Sequence, residues 1–266
     1  MRVMIYNIFE GGQGRVDPLC HVIRSAAPHI AVLCDTRIDE NVFAIARKVS
    51  MHFFQAKSHA GASGGVALLS RHPISEAVNL GVVDPRFRNA ALSASVDAPC
   101  GPVQILAVQL HAGDSAGDEP IRIGEVHAIL EYYNSSGAGP GLLFGDFSAA
   151  HASAPTFRAI AAPTPTAPIS PAIPGQRVGA SPTPGPNAPV SAIFEILRAN
   201  WVDAGSAAAN RDDAAFTPTD RQPPLRRDHI FIDPAHAHGL AGYGTLVNPL
   251  AKFASDHYPI VADFSF

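Results

Sequence analysis

The sequence predicts an α/β fold in which two sheet-and-helix halves, with mixed and largely antiparallel pairing, stack sheet on sheet. Three observations lead there. The chain opens as strand, helix, strand: an apolar run from Val3 to Tyr6, a helical face of Val16, Leu19, Cys20, Ile23 and Ala27, then a second run from Ile30 to Cys34. Between residues 53 and 110, apolar runs follow one another with only short Pro, Gly and Asp punctuation, too little chain for crossover helices. A helical period then returns at Ile123, Val126, Leu130 and Tyr133 before another apolar run, Leu142-Leu143-Phe144.

Taken in order, residues 2–8 form a buried strand, and Glu10-Gly11-Gly12 makes a tight turn into the first helix. If the strands on either side of that helix pair in parallel, Asn7 and Asp35 reach comparable ends of neighbouring strands. Residues 39–49 read as a helix and Phe53-Phe54 as the start of a strand. Strands at 64–70, 74–80, 90–96 and 103–110 build the antiparallel part, with Pro73 marking a turn because it has no N–H for a ladder. A helix over 119–133 leads to the strand at 142–146. Residues 151–190 then carry ten of the 24 prolines without periodicity, and both an active-site lid and a solvated insertion fit that composition. Order resumes with a helix near 190–199, the segment Arg226 to Ile232, a strand near 240–247 and a closing strand from Tyr258 to Phe264.

At 266 residues and 47% hydrophobic content the chain can bury a full core, and one domain over 1–266 is expected, interrupted by the proline-rich insertion. No run approaches the ~20 apolar residues of a membrane span, and the N-terminus runs straight into a strand, so a cytoplasmic protein is expected. Cys20, Cys34 and Cys100 are odd in number and two lie in apolar patterns, which points to reduced thiols. A net charge of −4 does not favour long nucleic acid as a partner, though it leaves nucleic acid possible. Only three of the 19 basic residues are Lys, and Arg suits forked phosphate contacts.

Polar groups cluster where apolar runs end. Gly145 breaks one run and delivers Asp146 and, two residues on, Ser148, which would share a face on an extended backbone. Asn7, Asp35 and His111 close three other runs, Asp228 opens the segment around Ile230, and Asp256-His257 precedes the last strand. Carboxylates converging at one rim would repel unless a cation sat among them, and oxygen donors favour Mg²⁺ or Mn²⁺. A histidine beside an acid, as in a His257 to Asp228 contact, supplies a proton donor or a second positive clamp. The chemistry indicated is hydrolysis of a phosphate ester.

In their order these residues resemble the endonuclease/exonuclease/phosphatase superfamily, the group of pancreatic deoxyribonuclease, abasic-site endonucleases, neutral sphingomyelinases and inositol polyphosphate 5-phosphatases. The resemblance runs through Tyr6-Asn7-Ile8, Ala31 to Asp35, Gly65 to Ile74, Gln109-Leu110-His111, Gly145 to Ser148, Arg226 to Ile232 and Ser255-Asp256-His257-Tyr258-Pro259. It implies a four-layer α/β/β/α sandwich with the site at the top of the paired sheets. It further implies that Asn7 serves the metal site and orients the nucleophile, and that Asp35 is the principal metal acid. His111 would contact phosphate, Asp146 would align or deprotonate the attacking water, and Asp228 would orient His257. Asp256 would be the second metal-side carboxylate and His257 the phosphate-activating histidine.

Two positions depart from the family pattern. Asp35 stands where Glu is usual, so its carboxylate falls back by about 1.5 Å, one C–C bond. Gly-Asp-Phe-Ser replaces Gly-Asp-Phe-Asn, so Ser148 offers one hydroxyl donor in place of an amide's two. Glu10 is close enough in sequence to Asn7 to act as a compensating metal-side acid, or it is a helix-start charge. Arg71, Arg86, Arg88 and Arg226 are the candidate phosphate contacts. The expected function is a divalent-metal-dependent phosphoesterase acting on a phosphodiester or phosphomonoester. The alternative is a diverged member that binds a ligand or partner without turnover, or that runs another metal-assisted reaction.

Overall fold

The computed structural model describes residues 1–37, 40–57, 64–113, 115, 117–136, 141–151, 191–209, 226–247 and 249–266. The proline-rich stretch, apart from the backbone of the strand residue His151, lies outside the described residues. The elements are β1 (Arg2–Asn7), α1 (Val16–Ala26), β2 (Ile30–Thr36), α2 (Glu40–Val49), β3 (His52–Ala56), β4 (Gly65–Ser70), β5 (Ile74–Asn79) and α3 (Leu80–Val83). They continue as β6 (Ala90–Ala98), β7 (Gly101–Gln109), α4 (Asp118–Ser136), β8 (Gly141–His151), α5 (Ala192–Asn200), β9 (Val202–Asp203) and α6 (Ala204–Ala209). The last are β10 (Arg226–Ile232), β11 (Leu240–Thr245), α7 (Pro249–Ala254) and β12 (Ile260–Phe264).

Among the described residues there are two six-stranded sheets, ordered β11-β12-β1-β2-β4-β3 and β5-β6-β7-β8-β10-β9. Only the β1–β2 and β7–β8 pairs are parallel, so both sheets are mixed and mainly antiparallel. Alternation along β1 shows how they stack. Val3 and Ile5 enter a core shared with Leu92, Ile105, Phe144 and Ile230 of the second sheet, while Met4 and Tyr6 enter a core shared with α1, α2 and α7. On the far side, Leu106, Val108 and Leu143 pack against α4 and α5. The result is the α/β/β/α layering, and it explains why the strands read as continuous apolar runs: both faces of each sheet are covered.

Some local expectations are adjusted. Ala27 ends α1 in the left-handed region (φ 49°) and does not extend its face. The short helix α7, with Pro249 at its first position, has no long apolar period to announce it. The halves are not sequential either, because β11 and β12 return to pair with β1 in the first sheet. Among the described residues no helix is long and apolar enough to cross a membrane, and all three cysteines are free thiols.

Candidate active site

Register brings the polar strand ends together. Asn7 lies opposite Cys34, the residue before Asp35. On the second sheet, Asp146 lies opposite Gln109 on one side and opposite Asp228 on the other. The two rims meet across the sheet interface. Asn7 Nδ2 donates to Asp146 Oδ2 at 2.9 Å, and Gln109 Nε2 donates to the same oxygen at 3.1 Å. The Ser148 amide donates to Asp146 Oδ1 at 2.8 Å. Three donors thus fix one buried carboxylate: Oδ2 is filled by two of them, and Oδ1, with one, keeps a lone pair for a water.

Ser148 reaches that rim by a different route from the one alternation suggests. Its φ of 50° breaks the extended backbone, and its hydroxyl donates to the Leu110 carbonyl at 3.3 Å. Phe9, Glu10 and Asp35 also sit at positive φ (51°, 49° and 54°), so four of the non-glycine residues in this costly region border the site.

His257 Nδ1 lies 2.6 Å from Asp228 Oδ2, both groups buried. Burial alone would lower the histidine pKa, but Asp228, followed by Asp256 and Asp146, outweighs it and raises the value to about 10. The surrounding carboxylates thus favour the protonated ring, whose Nδ1 is held by Asp228. The Ser255 hydroxyl ties this turn to β1 by donating to the Asn7 carbonyl at 2.7 Å.

Asp35 accepts the Glu10 amide on Oδ2 at 2.6 Å, and its own amide donates to Gln109 Oε1 at 2.9 Å. Burial raises its pKa, and the fields of Asp146 and Asp256 add to that against the Glu10 amide. The Glu10 side chain points elsewhere, pairing with Arg37 at 3.4 Å, so the amide of this residue is what serves Asp35. Among the described residues no three His, Cys, Asp or Glu side chains come together closely enough to hold an ion unaided. The donor set fits Mg²⁺ or Mn²⁺ nonetheless. Such ions take one or two carboxylates and complete their shell with water and substrate phosphate, and Asp35 is a half-buried acid in the fields of Asp146 and Asp256, which a cation would relieve.

His111 Nε2 lies 2.8 Å from Asp118 Oδ1, and Asp118 is drawn down to about 2 by hydrogen bonds from Ser115 and then His111. Below it, the fully buried Glu125 accepts the amides of His111 and Arg88, one on each oxygen at 2.8 Å. This places the exposed Arg88 beside His111 at the rim. Two other arginines require correction as phosphate contacts. Arg226 is 3% exposed and its guanidinium is consumed by the buried Asp203, with Nη1 to Oδ1 at 3.0 Å. Arg71 follows Ser70, which pairs with Ile30 at the end of β2 remote from Asp35, and it donates to the Pro28 carbonyl. Arg86 is held by Asp84 and Glu131.

Sequence reasoning missed Gln109, Asp118, Glu125 and Arg15 as site-building residues. Gln109 carried a usable signal, since it stands two residues before His111 at a strand end. Glu125 carried another, as a charge inside the apolar stripe beside Val126 and Ile129. Arg15 carried none, because its partners are backbone carbonyls, two on the nearby loop at Ile8 and Phe9 and one 239 residues away at Ala254, and backbone acceptors leave no mark on residue type.

A model of a family described as Endonuclease/Exonuclease/phosphatase matches residues 4–257. A search of curated proteins returned no match. Among solved structures, a 3′ phosphatase from Neisseria bound to a product DNA hairpin aligns with TM-score 0.69 at 19% identity over 100% of both chains. An AP endonuclease from Archaeoglobus fulgidus aligns with TM-score 0.69 at 14% identity, again over 100% of both. D. rerio TDP2 complexed with a single-strand DNA product aligns with TM-score 0.67 at 12% identity, over 100% of this chain and 99% of that one. At these identities the structural likeness establishes the shared fold.

Proposed function

Because this chain belongs to the Endonuclease/Exonuclease/phosphatase family, whose members are metal-dependent hydrolases of phosphoric esters, we propose that it hydrolyses a phosphodiester or phosphomonoester by in-line attack of water, with Mg²⁺ or Mn²⁺ as cofactor. The observation that carries this reading is the pairing, on one rim, of an anchored carboxylate at Asp146 with an imidazolium at His257.

Asp146, fixed by three donors, orients the water and takes its proton. His257, held cationic by Asp228, donates Nε2–H to a phosphoryl oxygen and stabilises the charge that develops there. His111 and Arg88 contact the phosphate from the opposite side, both braced by Glu125. Asp35, with Asn7 and Asp256 beside it, would hold the ion. When bound, the ion supplies Lewis-acid polarisation of the phosphoryl group. The three free thiols support a reducing, cytoplasmic setting.

The test is a metal titration with an aryl phosphodiester, an aryl phosphomonoester and a DNA oligonucleotide, the last because two structural relatives were solved with DNA products. Magnesium-dependent turnover of one of them, lost in His257→Ala by about 10²-fold or more, is the expected result. Metal-replete protein that turns over none of the three would overturn the proposal.

A further inference from the structure

Arg15 stands at the residue before α1, where a short polar side chain usually satisfies the first helical N–H groups. Its side chain makes no such cap. The guanidinium turns inward, leaving the residue 7% exposed, and Nη1 donates to the carbonyls of Ile8 at 3.1 Å and Ala254 at 2.5 Å. Nη2 donates to the carbonyl of Phe9, whose ring centroid lies 5.2 Å from the Arg15 Cζ. Its direct contacts among the described residues are these three backbone oxygens and the Phe9 ring, and the carboxylates of Asp256, Glu10 and Asp35 act on it only through their fields.

Those oxygens belong to the two segments that build the site. Ile8 and Phe9 begin the loop after β1, whose next residue presents its amide to Asp35. Ala254 ends α7 and immediately precedes Ser255-Asp256-His257. We propose that Arg15 is a positioning residue for hydrolysis, a strap that sets the distance between the metal-side acid and the phosphate-side histidine. It rests on the phosphoesterase reading of this site. The strap holds Phe9 and Glu10 in their left-handed conformation, which neither residue favours, and so aims the Glu10 N–H at Asp35 Oδ2. The Ser255 to Asn7 hydrogen bond is the second tie between the same segments. The three carbonyls are divided between two nitrogens, Nη1 and Nη2, and a lysine has one nitrogen to place where the fork places two, so lysine does not reproduce the strap.

The experiment compares Arg15→Lys and Arg15→Gly with wild type and with Ile23→Ala, a change on the core face of α1. In Arg15→Lys, kcat on the aryl phosphodiester falls about 10²-fold, as for a small misplacement of reacting groups, while KM changes little. The magnesium concentration for half-maximal rate rises about 10-fold, the scale set by lost outer support of a ligand. Hydrogen exchange on the metal-free protein shows the amides of residues 8–12 and 255–258 losing protection together, with those of β7 unchanged. Millimolar guanidinium, but not sodium chloride, restores both kcat and protection in Arg15→Gly. Ile23→Ala loses stability and none of these. Retained kcat and protection in Arg15→Lys, or loss confined to one segment, would overturn the strap. Absent turnover in wild type with the coupled exchange intact would instead retire the phosphoesterase reading.

Discussion

His257 combines two large and opposed effects, burial that disfavours its charge and the Asp228 carboxylate that demands it. The carboxylate wins, since the pKa rises to about 10 from an ordinary value of 6.5. For a base whose folded pKa is raised, the stabilisation is complete below pH ~6.5 and is lost as pH climbs through about 10. Activity that needs the imidazolium should therefore persist across the neutral range and fall on an alkaline limb near that value. Asp228→Asn removes the anion, so kcat should drop by about 10²-fold and the limb should move toward neutral pH in a pH–rate profile. Ser148 and Asp35 supply a second expectation at this scale. Both have φ near +50°, a region that Asn and Asp tolerate better than other non-glycine residues. Ser148→Asn should keep its melting temperature and raise turnover about 10-fold by adding a donor at the rim. Asp35→Glu should lose about 1 kcal/mol of stability by denaturant titration, because Glu gains no local hydrogen bond to offset the left-handed backbone.

At the level of elements, β9, α6, β10 and β11 are joined by the buried Arg226–Asp203 pair. Asp203 also accepts from the Gly205 amide at 3.0 Å and the Ser206 hydroxyl at 2.8 Å, and the buried Tyr243 of β11 lies within the field of this pair. Gly205 must lack a side chain here, since a Cβ would run into the Arg226 guanidinium. Arg226→Ala leaves the buried Asp203 with the part-exposed Arg198, 3.8 Å away, as its remaining cationic partner and should cost about 3 kcal/mol of unfolding free energy. Adding Asp203→Ala should recover part of that loss in a double-mutant cycle; additive costs would contradict the pairing. As a residue type Arg226 looked like a phosphate ligand. Its pairing with Asp203 depends on how β9 and β10 align, which no local pattern in the sequence records.

For the whole molecule, the decisive fact is that the site straddles two sheets. Gln109 spans the seam, its carbonyl on the Asp35 amide of the first sheet and its amide on Asp146 of the second. Gln109→Leu keeps most of the volume and removes both bonds, leaving a buried donor unmet. We expect a loss of about 1–3 kcal/mol and a fall in kcat of about 10²-fold, read by denaturation and by steady-state kinetics. A variant that keeps full turnover would show that the seam does not set the reacting geometry. The strand set was legible because helices cover both outer sheet faces, so buried strands announce themselves as apolar runs. The return of β12 beside β1 was not, because pairing partners more than 250 residues apart leave no trace in either segment's periodicity.

By itself the sequence determined the longer strands and helices, though not the short elements α3, β9, α6 and α7, and that Asn7, Asp35, His111, Asp146, Asp228 and His257 stand at or near strand ends. Those properties follow from periodicity of two or 3.6 residues and from where apolar runs stop. Tertiary structure alone decided that Asp228 meets His257, that Gln109 bridges Asp35 and Asp146, that Arg15 binds the carbonyls of Ile8, Phe9 and Ala254, and that the Arg88 amide shares Glu125 with His111 while Arg226 pairs with Asp203. Strand order, register and the packing of two sheets set those contacts, and they are properties of distant chain segments in combination.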